Sequence, residues 1–260
     1  MEQTTRITFL GTAAANFSPR LQTDCKDRFD QDARRASCML IGENYLVDCG
    51  MYVMESIRIA GVDMSRITDI FVTHLHADHF NAEYAQQIAA GKEKPLRLWV
   101  RRDAEVPPME NVEVIRLPRH QEVAVAEDVS VVSIDANHDA ISFPQHFIFT
   151  IRGKKLLYAL DGGWFVTESY SYLRKMRMDM AVLDATCGEK AGEWRIGSHN
   201  SLPMLRIMVP ALKTWGVFDE ETRIYLSHIA PKLHAPHKEI VESVEKDGML
   251  VAYDGLTVLL

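Results

Sequence analysis

The chain has 260 residues, of which 47% are hydrophobic and 25% are charged, a composition typical of a globular protein with a buried core. Asp and Glu number 36 against 29 Lys and Arg, so the formal net charge is −7. This balance excludes proteins that hold nucleic acid through a broad basic surface. Ten histidines accompany four cysteines without a CxxC pair, which excludes zinc fingers and disulfide scaffolds.

The sequence also argues against targeting and membrane segments. The N-terminal residues lack a basic stretch followed by a long apolar core, so no signal peptide is predicted. The most apolar long stretch, 202–218, carries Arg206, Lys213 and Pro210, which argues against a membrane span. No linker or low-complexity tract divides the chain. We therefore expect a cytoplasmic protein with one domain over 1–260.

Hydrophobic periodicity and turn residues predict mixed α/β structure. In chain order the predicted elements are strands 5–10, 37–42 and 44–48, helix 51–60, strand 67–73, helix 82–91, strands 96–100, 111–117, 121–126, 129–135, 146–152 and 155–160, helix 166–177, strand 179–184, helix 201–214, strand 222–227, helix 236–247, and strands 249–253 and 256–260. So many consecutive strands do not fit the middle of one parallel sheet. The order favours two mixed sheets packed face to face with helices outside, a four-layer αββα sandwich.

The strongest chemical signal follows the predicted strand that ends at Thr73. The run His74-Leu75-His76-Ala77-Asp78-His79 places four candidate metal ligands within six residues. Imidazole nitrogen and carboxylate oxygen are ligands that suit Zn, Mn or Fe, and a loop can bring such side chains together. The run therefore predicts a metal site at the carboxyl end of a strand.

This run resembles the HxHxDH signature of the metallo-β-lactamase superfamily of binuclear hydrolases. The other elements of that pattern also follow predicted strands, and they are Asp48 in Val47-Asp48-Cys49-Gly50, His138 in Asn137-His138-Asp139, Asp161 in Leu160-Asp161-Gly162-Gly163, and His228 in Leu226-Ser227-His228. They occur in the expected order from Asp48 to His228. The resemblance implies the metallo-β-lactamase fold.

The resemblance also implies roles for these residues. His74, His76 and His138 would hold a first metal, while Asp78, His79 and His228 would hold a second, with Asp161 bridging. Asp48 would orient one of the ligand imidazoles, since metal-bound histidines commonly donate their other N–H to a carboxylate. We expect two divalent ions, Zn or Mn first and Fe as an alternative, which together activate a shared water as hydroxide. Asp78 is therefore expected to act both as a metal ligand and as a catalytic residue.

Two stretches point to one branch of the superfamily. Gly197-Ser198-His199-Asn200 resembles the motif of PhnP-type phosphodiesterases in which the histidine is a general acid, and the chain ending resembles theirs. These enzymes also carry a structural zinc on a CxCxxC insertion. Here the corresponding segment holds only Cys25, and Ala230-Pro231 stand where the completing histidine is expected. We therefore predict no structural zinc, and whether 13–36 lines the active site stays open.

The resulting prediction is a phosphodiesterase for a small anionic diester, linear or cyclic, with His199 as general acid. Two divalent ions outweigh two carboxylates and one hydroxide, so an anionic substrate suits the site although the chain is acidic. His234 is a candidate phosphate contact, Trp164 a candidate pocket wall, and the role of His237 is open. Oligomeric state is open too, although the apolar helix near 202–217 is suited to pairing in a homodimer.

Other functions on the same fold remain alternatives. An RNA 3′-processing endonuclease shares the ligand set, although the net charge of −7 weighs against it. A persulfide-dioxygenase-like oxidoreductase keeps the histidines but uses one iron. The flavodiiron branch has glutamate where His76 stands, so the sequence argues against it. All seven proposed ligands are present, which also argues against a decayed, non-enzymatic site.

Overall fold

The computed structural model describes residues 4–15, 17–190 and 192–260. The strands are β1 (Arg6–Gly11), β2 (Cys38–Ile41), β3 (Tyr45–Val47), β4 (Asp69–Phe71), β5 (Leu96–Arg101), β6 (Val112–Leu117), β7 (Glu122–Ala126), β8 (Val129–Asp135), β9 (Gln145–Ile151), β10 (Lys154–Ala159), β11 (Met180–Asp184), β12 (Arg223–Ser227), β13 (Leu250–Val251) and β14 (Thr257–Leu259). The helices are α1 (Val53–Ala60), α2 (Ala82–Ala89), α3 (Thr167–Leu173), α4 (Leu202–Thr214) and α5 (His237–Val244).

The strands form two mixed sheets of seven strands each. The first sheet has the order β14-β1-β2-β3-β4-β5-β6, and the second has the order β13-β12-β11-β10-β9-β8-β7. In the first sheet β3 to β6 run parallel and the other neighbours antiparallel. In the second sheet β10 to β13 run parallel and the other neighbours antiparallel. Each sheet therefore has one parallel half, whose strands all end at the same edge.

Three apolar layers hold the sheets and helices together. Between the sheets, Phe71 stacks on Trp99 with ring centroids 5.4 Å apart and meets the edge of Phe149 at 5.0 Å. Outside the first sheet, buried residues of α1 and α2 such as Ile57 and Ile88 pack on its outer face. A third cluster joins α3, α4 and α5 to the outer face of the second sheet. The layers are thus helix, sheet, sheet and helix, and the predicted αββα sandwich is confirmed.

The clearest departures from the predicted elements lie in the helices of the second half. The helix predicted over 166–177 ends at Leu173. The backbone N–H of Met178 donates to the Val217 carbonyl and that of Asp179 to the Lys155 carbonyl, so this stretch bonds to neighbouring segments instead of continuing the helix. The helix predicted over 236–247 becomes α5 followed by a 3₁₀ turn, Glu245–Asp247, that ends at Gly248 with φ +71°.

None of the described helices combines the length and the apolar character that crossing a bilayer requires.

Stability measurements can test the central layer. We expect Phe71→Ala to lower the free energy of unfolding by about 3–5 kcal/mol, because it leaves a cavity between the two sheets. Ile207→Ala on α4 is the matched control, since Ile207 is 65% exposed and its loss should change stability by about 0.5 kcal/mol or less. Denaturant unfolding of both variants measures these differences, and equal effects would contradict the packing described.

Candidate metal centre

The candidate site lies where strands of both sheets end. In the first sheet, Asp48 follows β3 and His74 follows β4, two parallel neighbours. In the second sheet, β8, β10, β11 and β12 all run in one direction, and their carboxyl ends carry His138, Asp161, Asp184 and His228. Because the sheets pack face to face, these two edges bring residues up to 180 positions apart in sequence into one cluster.

The loop that holds the HxHxDH run is braced against the segment after β3. The backbone N–H of Cys49 donates to the His79 carbonyl at 2.8 Å, and that of Met51 donates to the Ala77 carbonyl at 3.1 Å. A β-carbon at Gly50 would stand 2.0 Å from the Asp78 carbonyl oxygen, so only glycine allows this approach. The close backbone contact fixes the loop through main-chain atoms and not through its candidate ligand side chains.

Three histidines form the first group of candidate ligands. His76 Nδ1 lies 3.0 Å from His74 Nε2 and 3.2 Å from His138 Nε2. Their ring nitrogens therefore converge on one point, with ligand atoms within 4.8 Å of one another. His74 is buried, whereas the His76 side chain is 45% exposed, so this group is open to solvent on one side.

A second group combines Asp78, His79 and His228. Asp78 Oδ2 lies 3.7 Å from His79 Nε2 and 4.0 Å from His228 Nε2, and the two Nε2 atoms are 3.2 Å apart. Both imidazoles are buried and the Asp78 side chain is 15% exposed. The set of two nitrogens and one carboxylate oxygen suits a divalent transition metal.

Asp161 stands between the two groups. Its Oδ2 lies 2.5 Å from His79 Nε2, 3.0 Å from His228 Nε2 and 3.8 Å from His74 Nε2, while Oδ1 lies 3.9 Å from His138 Nδ1. Among the described residues this buried Oδ2 accepts no hydrogen bond of normal geometry, although imidazole nitrogens surround it. The Asp161 carboxylate and the surrounding imidazole nitrogens thus point toward common positions between them, which is the arrangement expected of metal ligands.

Electrostatics divides the histidines into two kinds. Burial lowers the pKa of His74 well below its usual value and also lowers that of His138, so both imidazoles are neutral and keep the lone pair that a metal needs. Burial also opposes the charge of His228, but Asp161 and Asp184 outweigh it and raise its pKa to about 10. Burial opposes the charge of His79 as well, but Asp161 and Asp48 outweigh it and raise the pKa of His79 well above its usual value. The second group therefore lies in a negative field suited to a cation.

Asp48 is the residue that orients His79. Its Oδ2 lies 2.8 Å from His79 Nδ1, and its Oδ1 accepts hydrogen bonds of 2.8 Å from both the backbone N–H and the hydroxyl of Thr73. The carboxylate is fully buried. It therefore directs the opposite nitrogen, Nε2, toward Asp161 and the second group.

Three of the strand ends turn sharply at the site residue itself. Asp48, Asp161 and His228 have φ angles of +64°, +52° and +58°. Asp and His enter this left-handed region more readily than most residues, and each such position costs about 1–3 kcal/mol that the surrounding contacts must offset. The turns swing the side chains out of the strand direction and into the cluster.

His199 joins the cluster from the loop that precedes α4. Its Nδ1 lies 3.1 Å from Asp184 Oδ2 and 3.3 Å from Asp161 Oδ1, and its ring stacks on that of His228 with centroids 5.6 Å apart. Burial lowers its pKa, but the Asp184 carboxylate and then Asp161 outweigh this effect and raise it. The structure thus places beside the second group an imidazole whose protonated form is favoured by two carboxylates.

The sequence did not single out Asp184, which holds this side of the site together. Its carboxylate accepts hydrogen bonds from the backbone N–H groups of Thr186 (3.0 Å) and Asn200 (2.9 Å) and lies 3.3 Å from His228 Nδ1. Its own position, an aspartate at the end of a buried strand, is the signal that also marks Asp48 and Asp161. The Thr186 hydroxyl adds a contact of 2.7 Å to His228 Nδ1.

Other candidates from the sequence lie outside these groups. His234 Nε2 is 2.6 Å from the Ala185 carbonyl oxygen, so this nitrogen is occupied by the backbone. Trp164 is 42% exposed in the loop after Asp161. Cys25 is buried with Leu21 and Ala33 in a small apolar cluster. This cluster packs against Tyr52 near the start of α1 and shows how part of 13–36 is anchored.

Comparisons of sequence find similarity over parts of the chain. Residues 6–107 match the family described as anti-Pycsar protein Apyc1. Zinc phosphodiesterase ELAC protein 1 of Homo sapiens is 39% identical over 77 residues, which is 28% of this chain and 18% of that protein. A ribonuclease Z of Methanococcus maripaludis (strain C7) is 28% identical over 151 residues, which is 54% of this chain and 44% of that enzyme. The chain thus spans less than half the length of these relatives.

Comparisons of structure cover the whole chain. The metallo-β-lactamase fold protein YhfI from Bacillus subtilis superposes with a TM-score of 0.76 over 99% of both chains at 12% identity. A diphosphatase from the PhnP family superposes with a TM-score of 0.74 over 100% of this chain and 98% of that one, at 19% identity. Together with the two seven-stranded sheets, these likenesses show that the protein has the metallo-β-lactamase fold.

Proposed function

We propose that this protein is a hydrolase that depends on two divalent metal ions and cleaves a small phosphodiester, linear or cyclic. The observation that carries the proposal is the pair of ligand groups, His74–His76–His138 and Asp78–His79–His228, on either side of the Asp161 carboxylate. The similarity to a zinc phosphodiesterase and to ribonuclease Z supports phosphodiester chemistry. Zn and Mn suit this donor set, and Fe is an alternative.

The metal ions would supply the nucleophile by activating water, and they would stabilise charge on the phosphate oxygens. The chain's own residues do the positioning. Asp161 reaches both groups and keeps them at a fixed separation, while Asp48 fixes the orientation of His79. The exposed side of His76 leaves the first group open for substrate to approach.

His199 is the proposed proton donor to the leaving alkoxide. Asp184 and Asp161 hold its Nδ1 and favour the protonated ring, so Nε2–H is the proton available for transfer. The stacking of His199 on His228 places it next to the second ligand group. A general acid is needed at this position because an alkoxide leaves poorly without a proton.

The surroundings favour a small substrate over RNA. Two cations near the site are paired with acids: Arg195 with Glu193 at 2.7 Å, and Arg119 with Asp135 at 3.0 Å. Paired cations neutralise phosphates poorly, and the net charge of −7 opposes a long polyanion. The similarity to ribonuclease Z keeps an RNA 3′-processing endonuclease as the second candidate, which a precursor tRNA substrate tests directly.

The first test combines metal analysis with hydrolysis. We expect the purified protein to bind two metal ions per chain and to hydrolyse bis(p-nitrophenyl) phosphate. Asp161→Ala should abolish hydrolysis, because this variant removes the carboxylate that reaches both groups. Asp128→Ala is the control, since Asp128 pairs with Arg152 at 2.8 Å on an exposed turn and should leave both quantities unchanged.

Other outcomes of that test would redirect the proposal. One iron per chain without phosphodiester cleavage would support the dioxygenase alternative instead. Cleavage of precursor tRNA at a much higher rate than small diesters would support the endonuclease.

The second test concerns the proton donor. We expect His199→Ala to retain both metals but to slow the hydrolysis of a diester with an alkyl leaving group by about 10²–10⁴-fold. Hydrolysis of bis(p-nitrophenyl) phosphate should be affected much less, because p-nitrophenolate leaves without protonation. Steady-state rates on the two substrates give the comparison. A similar slowing of both reactions would argue against the general-acid role.

The third test concerns the carboxylate behind His79. We expect Asp48→Asn to weaken metal binding by about 10–100-fold, because the amide no longer draws the N–H of His79 to the Nδ1 side. Asparagine also tolerates the left-handed backbone of this position, so the fold should be kept. Titration of the metal-free protein with Zn²⁺ measures the affinity. Unchanged affinity at both sites would contradict the assigned role.

A further inference from the structure

His146 is a buried histidine that the proposed chemistry does not use. It lies on β9 opposite Ile134 of β8, and it is only 1% exposed. Neither ring nitrogen makes a hydrogen bond of normal geometry among residues 4–15, 17–190 and 192–260. A buried polar group without a partner is uncommon and calls for an explanation, since an apolar side chain would avoid its desolvation.

The His146 ring lies directly against the turn that carries Asp161. A β-carbon at Gly162 would stand 2.6 Å from both Cε1 and Nε2 of His146, far inside contact distance. Within the part of the chain that the structure describes, the next atom near such a β-carbon, apart from those of its chain neighbours, is the Ala136 β-carbon at 3.9 Å. The imidazole therefore occupies the space that a side chain at position 162 would need. The ring of Phe165 packs nearly perpendicular to the imidazole, with ring centroids 5.7 Å apart.

The remaining sides of this turn are held by hydrogen bonds. The backbone N–H of Asp161 donates to Asp184 Oδ2 at 3.2 Å, and the Asn200 side-chain amide donates to the Gly162 carbonyl at 3.0 Å. The Gly163 N–H donates to the Asn137 carbonyl at 3.0 Å. A residue at φ +52°, as Asp161 is, persists only when its surroundings fix it from several directions.

Burial keeps the His146 ring uncharged. It lowers the pKa of the ring to about 4, although the nearby Asp184 carboxylate and the backbone of Asp161 act in the opposite direction. The ring is therefore neutral at physiological pH and adds no positive charge beside the proposed metal centre. A five-membered ring is also smaller than that of phenylalanine, and the space under Gly162 does not admit even one further methyl group.

We propose that His146 is a positioning residue, whose ring forms the floor of the Asp161–Gly162–Gly163 turn and thereby sets where the Asp161 carboxylate stands between the two ligand groups. The inference rests on the proposed metal centre, because Asp161 is its shared ligand. Loss of the ring should let the turn relax, and a methyl group at Gly162 should push the turn away from β9.

A double-mutant cycle tests this inference. We expect Gly162→Ala and His146→Ala each to weaken the binding of Zn²⁺ at its weaker site by about tenfold or more, the range typical of residues that orient ligands. In the double variant the methyl group fills part of the vacated space. Its metal affinity and its melting temperature without metal should therefore lie closer to the wild type than those of Gly162→Ala.

The matched control is Ile148→Ala, on the same strand two residues away and 1% exposed. It should lower the melting temperature as His146→Ala does but change metal affinity by about twofold or less. Additive effects in the cycle, or equal metal affinity for His146→Ala and Ile148→Ala, would overturn the inference. Failure of the wild type to bind Zn²⁺ would instead overturn the metal centre, while melting of the metal-free variants would still report the contact between His146 and Gly162.

Discussion

The buried Asp161 carboxylate is the group on which the rest of the site depends. Its Oδ2 is within 4 Å of three imidazoles that come from both sheets, and it is almost completely shielded from water. A carboxylate in such a place needs compensating positive charge, since burying an unpaired ion is costly. Asp161 raises the pKa of both His79 and His228, so positive charge beside it is favoured, and two bound cations would supply such charge in the proposed enzyme.

The direction of the strands brings the residues around Asp161 together. Each sheet ends its parallel strands at one edge, and the face-to-face packing around Phe71 brings the two edges together. Left-handed turns at Asp48, Asp161 and His228 then aim the side chains inward. Backbone contacts such as those across Gly50 fix the loops independently of the ligands. Contacts within the protein itself therefore hold the ligand residues in place, and such preorganisation limits the ordering cost of binding.

Much of this arrangement could be predicted from the sequence, and the reasons are local. Almost every strand and helix follows from short-range periodicity. The HxHxDH run and the later Asp and His positions identify the candidate metal ligands and the strand ends that carry them. The contacts that depend on tertiary geometry could not be predicted. Asp184 ends a buried strand as Asp48 and Asp161 do, but only the position of β11 in the fold shows that it contacts His199 and His228. Likewise, the contact between His146 and Gly162 exists only because β9 passes beneath the turn after β10.

Anomalous diffraction from crystals grown with Zn²⁺ tests the central claim most directly. We expect two peaks per chain, one among His74, His76 and His138 and one among Asp78, His79 and His228, both within bonding distance of Asp161. The residues Asp161, Asp184, His199 and His228 form another group with ligand atoms close enough for a metal. A single peak at that group would make His199 a ligand instead of a proton donor and would contradict two metal sites that share Asp161.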